Sequence, residues 1–320
     1  MTMANHTRSE VLAYDLGGTK LEVGVVSSRG QILEHVRVRA PFDEGRDAVL
    51  ALMVRLGREY LSSYPSISAA GIASAGPLDP EKGTLLDPTN FRSKVHGPWG
   101  TVPITRLLGR KLKLPVRLEN DAAASLLAEH WVGAARRKKN VMILTLGTGL
   151  GTAFLCNGKL IRGGHGLHTE AGHLILNPHD RTAPCGCGNL GCAEAYLSGK
   201  NFSKRAAKSL GLKKLSGEEL GALAKSGDPR TLRLFREYGE WLAVATHNYT
   251  VTFAPETVIL TGSFAATSRY FLPETQRHLR KLLTRRRAPI DLLPRFVVSK
   301  LENSAGLLGG AYIAFHPHHI

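Results

Sequence analysis

A strand, a glycine turn and a second strand occur twice in this chain. The first copy runs from Val11–Asp15 through Gly17-Gly18-Thr19 into Leu21–Ser27. The second runs from Val141–Leu146 through Gly147-Thr148-Gly149-Leu150-Gly151 into Thr152–Cys156, about 130 residues later. A repeat at that spacing is the mark of an internal duplication, so the expected architecture is α/β with two lobes, each built around its own turn. The length agrees, because 320 residues exceed what one hydrophobic core usually serves.

The elements around the two turns follow from periodicity. Ile32–Ala40 extends the first meander as a third strand, and Ile67–Ser74 and Val116–Glu119 are further strands. Val49, Met53, Leu56 and Tyr60 recur at spacings of three and four, which predicts a helix over Arg46–Tyr64. Later helical patterns cover Leu234–Phe253 and Ser268–Arg286, with a β-branched strand at Thr257–Leu260 ending at Gly262. No linker rich in Pro, Gly or Ser separates the halves. The expected domains are a small α/β domain over 1–120 and a large one over 121–302, with a last helix in 303–320 packing back on the first.

Composition narrows the function classes. No apolar run approaches the roughly 18 residues of a membrane helix, and Met1–Glu10 lacks the apolar stretch of a signal peptide, so a soluble cytoplasmic protein is expected. Lys and Arg total 42 against 26 Asp and Glu, a net charge of +16. The clusters Arg136–Lys139, Lys200–Lys214 and Arg277–Arg287 lie within or beside helical patterns, interleaved with Leu and Ala. Solvated helix faces account for them better than a nucleic-acid surface, although such a field also attracts polyanions such as nucleotides.

Each glycine turn admits two readings. Glycines at Gly17, Gly18, Gly147 and Gly149 let backbone N–H groups approach a phosphate, with the hydroxyl of Thr19 beside the first turn. Alternatively each is a tight hairpin using Gly for positive φ. Two turns of one kind favour phosphate, while neither has the spacing of a P-loop or a Rossmann motif. Asp15, at the strand's end, is placed to hold Mg²⁺ through water. Glu119-Asn120-Asp121-Ala122 joins a strand to a helix, where Asn120 or Asp121 is an ordinary cap and where the helix dipole also keeps a carboxylate ionised. Glu170-Ala171-Gly172-His173 adds another acid beside an imidazole.

Three of the four cysteines fall together, at Cys185, Cys187 and Cys192, on a glycine-rich loop. Three cannot pair off as disulfides. With one histidine they make a tetrahedral zinc site, His173 and His179 being the nearest upstream candidates; the alternative is three free buried thiols. Cys156, in an apolar run, is expected to be buried.

These residues resemble the ROK family (repressors, open reading frames and sugar kinases) of the actin and hexokinase superfamily, over essentially the whole chain. The resemblance rests on Asp15–Lys20, Asn120-Asp121, Gly147–Gly151, the E-x-G-H element Glu170–His173, and the C-x-C-G-x-x-G-C-x-E signature Cys185–Glu194. It implies a two-lobed actin-like (ribonuclease H-like) fold with the active site in the interlobe cleft, and an ATP-dependent hexose 6-kinase, glucokinase-like, acting in glycolysis. Mg²⁺-ATP would lie against Asp15, Gly17, Gly18, Thr19, Lys20, Gly147, Thr148 and Gly149, with Gly262 facing adenosine. Asn90, Asn120, Asp121, Glu170, His173 and Glu194 would hold the sugar, Asp121 accepting the proton of the attacking hydroxyl. The implied zinc ligands are His173, Cys185, Cys187 and Cys192, a structural site that shapes the sugar pocket.

Phe91–Trp99 departs from the shorter pattern of family kinases, and Thr152-Ala153 stands where Gly is frequent, a change expected to matter little in a strand. A homodimer is expected. The family's repressors carry a DNA-binding segment of several dozen residues ahead of the first turn, and only fourteen residues precede Asp15 here, which disfavours that class. Glucose is the first substrate expected, ahead of N-acetylglucosamine, N-acetylmannosamine, mannose and fructose, with polyphosphate as an alternative donor.

Overall fold

The computed structural model describes residues 9–88, 90–91, 95, 97–164, 167–284 and 291–317. The chain forms two compact units. One holds the residues up to Arg136, the segment Lys159–His168 and the residues from Asn303 onward; the other holds Arg137–Gly158 and Thr169–Glu302.

In the first unit, β1 (Glu10–Leu16), β2 (Lys20–Ser27) and β3 (Ile32–Arg39) form an antiparallel meander. β4 (Ile67–Ser74) lies parallel to β1. Three short strands, β5 (Leu78–Asp79), β6 (Thr84–Leu86) and β7 (Thr101–Val102), form a separate sheet. β8 (Val116–Asn120) closes the main sheet parallel to β4, giving the order β3-β2-β1-β4-β8. Its helices are α1 (Arg46–Ser63), α2 (Ile104–Leu112), α3 (Asp121–Trp131) and the C-terminal helix Ala305–Phe315. The α1 face predicted from the sequence, Val49, Met53, Leu56 and Tyr60, is buried.

Alternation along β1 sends successive side chains to opposite faces of the sheet. Tyr14 meets α1, its hydroxyl donating to the Met53 carbonyl at 3.1 Å. Asp15 lies on the other face, against the first turn of Ala305–Phe315, where a Cβ added at Gly306 would collide with its carboxylate. Gly309 and Gly310 of the same helix approach the backbones of α3 and β4 so closely that no Cβ fits between Gly309 and Ala124. That packing keeps α3 with the first unit, which therefore runs on to Arg136, past the change near residue 120 expected from the sequence.

In the second unit β9 (Val141–Leu146) pairs antiparallel with β10 (Leu150–Cys156) and parallel with β11 (Thr257–Thr261), which pairs parallel with β12 (Arg295–Val298). The order β10-β9-β11-β12 repeats the order β2-β1-β4-β8 of the first unit, strand sense included. The duplication seen in the sequence is thus a duplication of topology. Helices α4 (Ala193–Leu197), α5 (Gly199–Ser209), α6 (Gly217–Lys225), α7 (Pro229–Phe253) and α8 (Leu272–Leu283) belong to this unit. The helical pattern predicted over Ser268–Arg286 divides into a 3₁₀ segment, Ser263–Tyr270, and α8; residues 285–287, with the end of the third basic cluster, lie outside the described residues. The predicted N-terminal residues 1–8 and the last positions of the C-terminal segment, 318–320, lie outside them too.

Candidate active site

The first glycine turn joins β1 to β2, with Leu16 opposite Leu21 and the Gly17 N–H donating to the Lys20 carbonyl at 3.0 Å. Neither Gly17 nor Gly18 takes a positive φ, and the same holds for Gly147 and Gly149. Positive φ therefore does not explain these glycines, and a Cβ would be crowded at Gly18 and Gly149 but not at Gly17 or Gly147. A Cβ at Gly18 would come within 3.2 Å of Asn90 Cβ, so Asn90 stands directly against this turn. Asn90 is exposed, and its neighbour Phe91 is fully buried, stacked on Phe42 at 4.9 Å and against Trp99 at 5.0 Å. Thr89, residues 92–94 and His96 of this segment lie outside the described residues.

Asn120 ends β8 and caps α3. Its Oδ1 accepts from the Ala122 and Ala123 N–H groups at 2.9 and 3.2 Å, leaving the side-chain amide nitrogen as its donor. Asp121, the first residue of α3, accepts the Ala122 N–H through Oδ1 at 2.8 Å. Asp15 and Asp121 lie near enough for their charges to interact. Burial first, then the Asp121 and Glu22 carboxylates, push the Asp15 carboxyl up to about 7, with Arg37 opposing. Asp15, Glu22 and Arg37 are directly opposite one another across β1, β2 and β3, and Arg37 donates to the buried Glu22 through Nε at 2.6 Å.

In the second unit the Gly147 turn is braced from three sides. Its N–H donates to the Gly149 carbonyl at 3.2 Å, and its carbonyl accepts from the Lys200 N–H at 3.3 Å. Gly262 has φ +86°, and a Cβ there would stand 2.5 Å from the Leu146 carbonyl oxygen, so glycine is required on both counts. Glu194, in the first turn of α4, accepts the Leu150 N–H at 3.0 Å through Oε2. Helix α4 is short, but it is anchored on α7: the Tyr238 hydroxyl donates to the Leu197 carbonyl at 2.8 Å and Tyr196 stacks on Trp241 at 4.0 Å.

Glu170 is exposed and His173 half-buried, their Oε2 and Nε2 atoms 3.9 Å apart. The sequence reading missed what supports them. The Thr152 hydroxyl donates to the Thr169 carbonyl at 3.0 Å and accepts the Ala171 N–H at 3.1 Å, gripping both neighbours of Glu170. A glycine there could do neither. The residue expected to be neutral is a brace, and the only sequence signal was its departure from the family pattern.

His173, Cys185, Cys187 and Cys192 bring one ligand atom each within 4.8 Å of one another. Cys185 Sγ lies 3.4 Å from His173 Nδ1, and Cys187 Sγ lies 3.7 Å from Cys192 Sγ. Tetrahedral zinc with Zn–S near 2.3 Å and Zn–N near 2.0 Å calls for ligand separations of roughly 3.5–3.8 Å, so the donor set fits in kind, number and spacing. His179 is exposed and outside the group, so His173 is the one of the two histidines that stands with the thiols. With Nδ1 turned toward the thiols, Nε2 faces Glu170. Cys187 is exposed while Cys185 and Cys192 are buried, and burial pushes the Cys185 thiol up. Cys156 is exposed at the end of β10, contrary to the burial expected from its apolar run, because the strand ends there.

Known proteins are similar to this chain over nearly its whole length. A glucokinase of Thermotoga maritima is 31% identical over 95% of this chain and 96% of its own length. An N-acetyl-D-glucosamine kinase of Citrobacter koseri is 30% identical over 94% and 97%. The crystal structure of a ROK-family glucokinase from Streptomyces griseus in complex with glucose and AMPPNP superposes with a TM-score of 0.78, at 27% identity, covering 95% of this chain and 99% of that one. The ROK family description itself matches residues 11–316, from the first strand of the first glycine turn to the end of the C-terminal helix. Since that span takes in both turns, the Asn120-Asp121 cap and the cysteine loop in their order, the chain belongs to the ROK family.

Proposed function

We propose that this chain transfers the γ-phosphoryl group of ATP to the 6-hydroxyl of a hexose, with glucose as first substrate, and that Asp121 is the base. The observation that carries this is the pinning of Asp121: its Oδ1 takes the Ala122 N–H at the start of α3, which fixes the carboxylate at a helix N-terminus. The relatives named glucokinase and N-acetylglucosamine kinase support the sugar-kinase class, and the neighbour holding AMPPNP supports ATP as donor.

Asp121 receives the hydroxyl proton and aims the oxygen in line. In a loose phosphoryl-transfer transition state positioning contributes more than deprotonation, so an ordinary ionised carboxylate suffices. Asn90, Asn120, Glu170, His173 and Glu194 hold the sugar hydroxyls, His173 through Nε2. Backbone N–H groups of Gly17, Gly18, Gly147 and Gly149, with Thr19, Lys20 and Thr148, receive phosphate oxygens, and Gly262 faces adenosine. Asp15 would hold Mg²⁺ through water, and the cation when bound neutralises charge on the transferring phosphate. His173, Cys185, Cys187 and Cys192 would hold zinc in a filled shell, so its contribution is to order the loop that carries Glu194. The working form is a cytoplasmic homodimer, which sedimentation would test; no helix among the described residues is long and apolar enough to cross a membrane.

The deciding experiment is an ADP-release screen over glucose, N-acetylglucosamine, N-acetylmannosamine, mannose and fructose, with ATP and polyphosphate compared as donors. Turnover with ATP that Asp121→Asn lowers by about 10²-fold or more, in a folded protein, is expected. Near wild-type turnover in that variant would return Asp121 to a helix-capping role.

A further inference from the structure

Glu119 is fully buried, immediately before Asn120 and Asp121. Arg162, whose side chain is 16% exposed, donates to both of its oxygens: Nη1 to Oε1 at 3.4 Å, and Nη2 to Oε2. Oε1 also accepts the Asn120 N–H at 2.8 Å. All of these residues belong to the first unit, Arg162 on the segment Lys159–His168, whose chain runs on in sequence to Glu170 and His173.

A buried carboxylate held by a mostly buried guanidinium is an expensive way to fill this space. Apolar side chains of similar volume commonly do so with equal or better stability. What an apolar pair cannot do is hold the Asn120 N–H. That peptide sets the direction in which β8 passes into α3, and Asn120 in turn caps Ala122 and Ala123 while Asp121 follows at the first helical position. A rotation of the Glu119–Asn120 peptide would swing the Asn120 amide and the Asp121 carboxylate together. Left alone, the Glu119 side chain has several rotamers. The Arg162 fork selects the one that points Oε1 at the Asn120 N–H.

We propose that Glu119 and Arg162 are a positioning pair for the Asn120-Asp121 turn, acting on catalysis through the backbone N–H of Asn120. The pair does not touch substrate. The inference rests on the reading of Asp121 as base, and the design below separates the two.

Three variants are compared with wild type and with Asp121→Asn, using ATP and the sugar of highest turnover in the screen. Glu119→Gln removes the negative charge that faces the Arg162 guanidinium, so its thermal midpoint and kcat should both fall. The double variant Glu119→Met with Arg162→Met removes both charges, and its thermal midpoint should return toward wild type. If the pair positions the turn, kcat in the double variant stays down by about tenfold or more with the KM for ATP unchanged. Recovery of kcat together with the midpoint would mean a merely structural pair and would overturn the proposal. Should the double variant fail to fold, Arg162→Lys decides: it keeps the charge but not the two-pronged geometry. A lowered kcat at an unchanged midpoint supports positioning, and an unchanged kcat refutes it. Full activity in Asp121→Asn would count against the base assignment alone.

Discussion

Glu194 joins the second glycine turn to the cysteine loop: its Oε2 accepts the Leu150 N–H at 3.0 Å while its Oε1 lies 3.6 Å from Cys185 Sγ. One carboxylate thus touches the segment proposed for phosphate and the loop proposed for zinc. A Cβ at position 149 would stand 2.7 Å from Glu194 Oε2.

Gly149→Ala should therefore act through Glu194 as much as through the turn itself. The expected outcome is a rise in KM for both ATP and sugar, about tenfold for each, since displacement of an ångström at a positioned group has costs of this order or more. Steady-state kinetics with each substrate varied in turn would check it, and a rise confined to ATP would show that Glu194 tolerates the shift.

Cys187→Ser leaves two thiolates and His173. Metal analysis should show zinc falling from about one per chain, with a lower thermal midpoint and a raised sugar KM as the loop carrying Glu194 loosens. Unaltered sugar affinity with phosphoryl transfer abolished in a folded protein would place zinc in the chemical step instead.

Asp15 makes stability depend on pH. Its carboxyl titrates near 3.8 when free of such surroundings and near 7 in the fold, so between these values the folded chain binds more protons than the unfolded one. Stability without divalent cations should then be highest below about pH 4 as far as this group is concerned, and fall as pH rises to about 7. The loss is at most about 4 kcal/mol, one pKa unit being worth about 1.4 kcal/mol. Asp15→Asn should flatten this slope in urea unfolding followed from pH 5 to pH 8. The same slope in both proteins would assign it to other groups.

Thr152→Val keeps the shape and the strand preference but removes one acceptor and one donor. A loss of about 1–3 kcal/mol in stability is expected, together with a raised sugar KM, because the Ala171 N–H is left without this acceptor and the backbone around Glu170 is released. Denaturant unfolding beside sugar kinetics would test both halves. A stability loss without any kinetic effect would make Thr152 a support of the fold alone.

Much of this molecule is legible in one dimension. The short runs Ile67–Ser74 and Val141–Leu146 read as strands to the residue, and the spacing of Val49, Met53, Leu56 and Tyr60 marks the buried face of α1. The two glycine turns announce the repeated sheet order, and the ordered motifs announce the family. These signals are local: each depends on the 2.0 or 3.6 residue period, or on residue types within a single turn or loop. What they miss depends on partners distant in the chain. Glu119 reads as a residue before a helix cap until Arg162 is seen against it, 43 positions on. Thr152 reads as a strand residue until the backbone on either side of Glu170 is found at its hydroxyl. His173 and His179 have the same chemistry, and His179 is the nearer to Cys185 in sequence, yet the path of the loop turns His173 toward the thiols and leaves His179 in solvent. Periodicity cannot report such choices, because a hydrogen bond or a metal-binding geometry is set to tenths of an ångström by packing, whereas sequence pattern records only which face of an element is apolar.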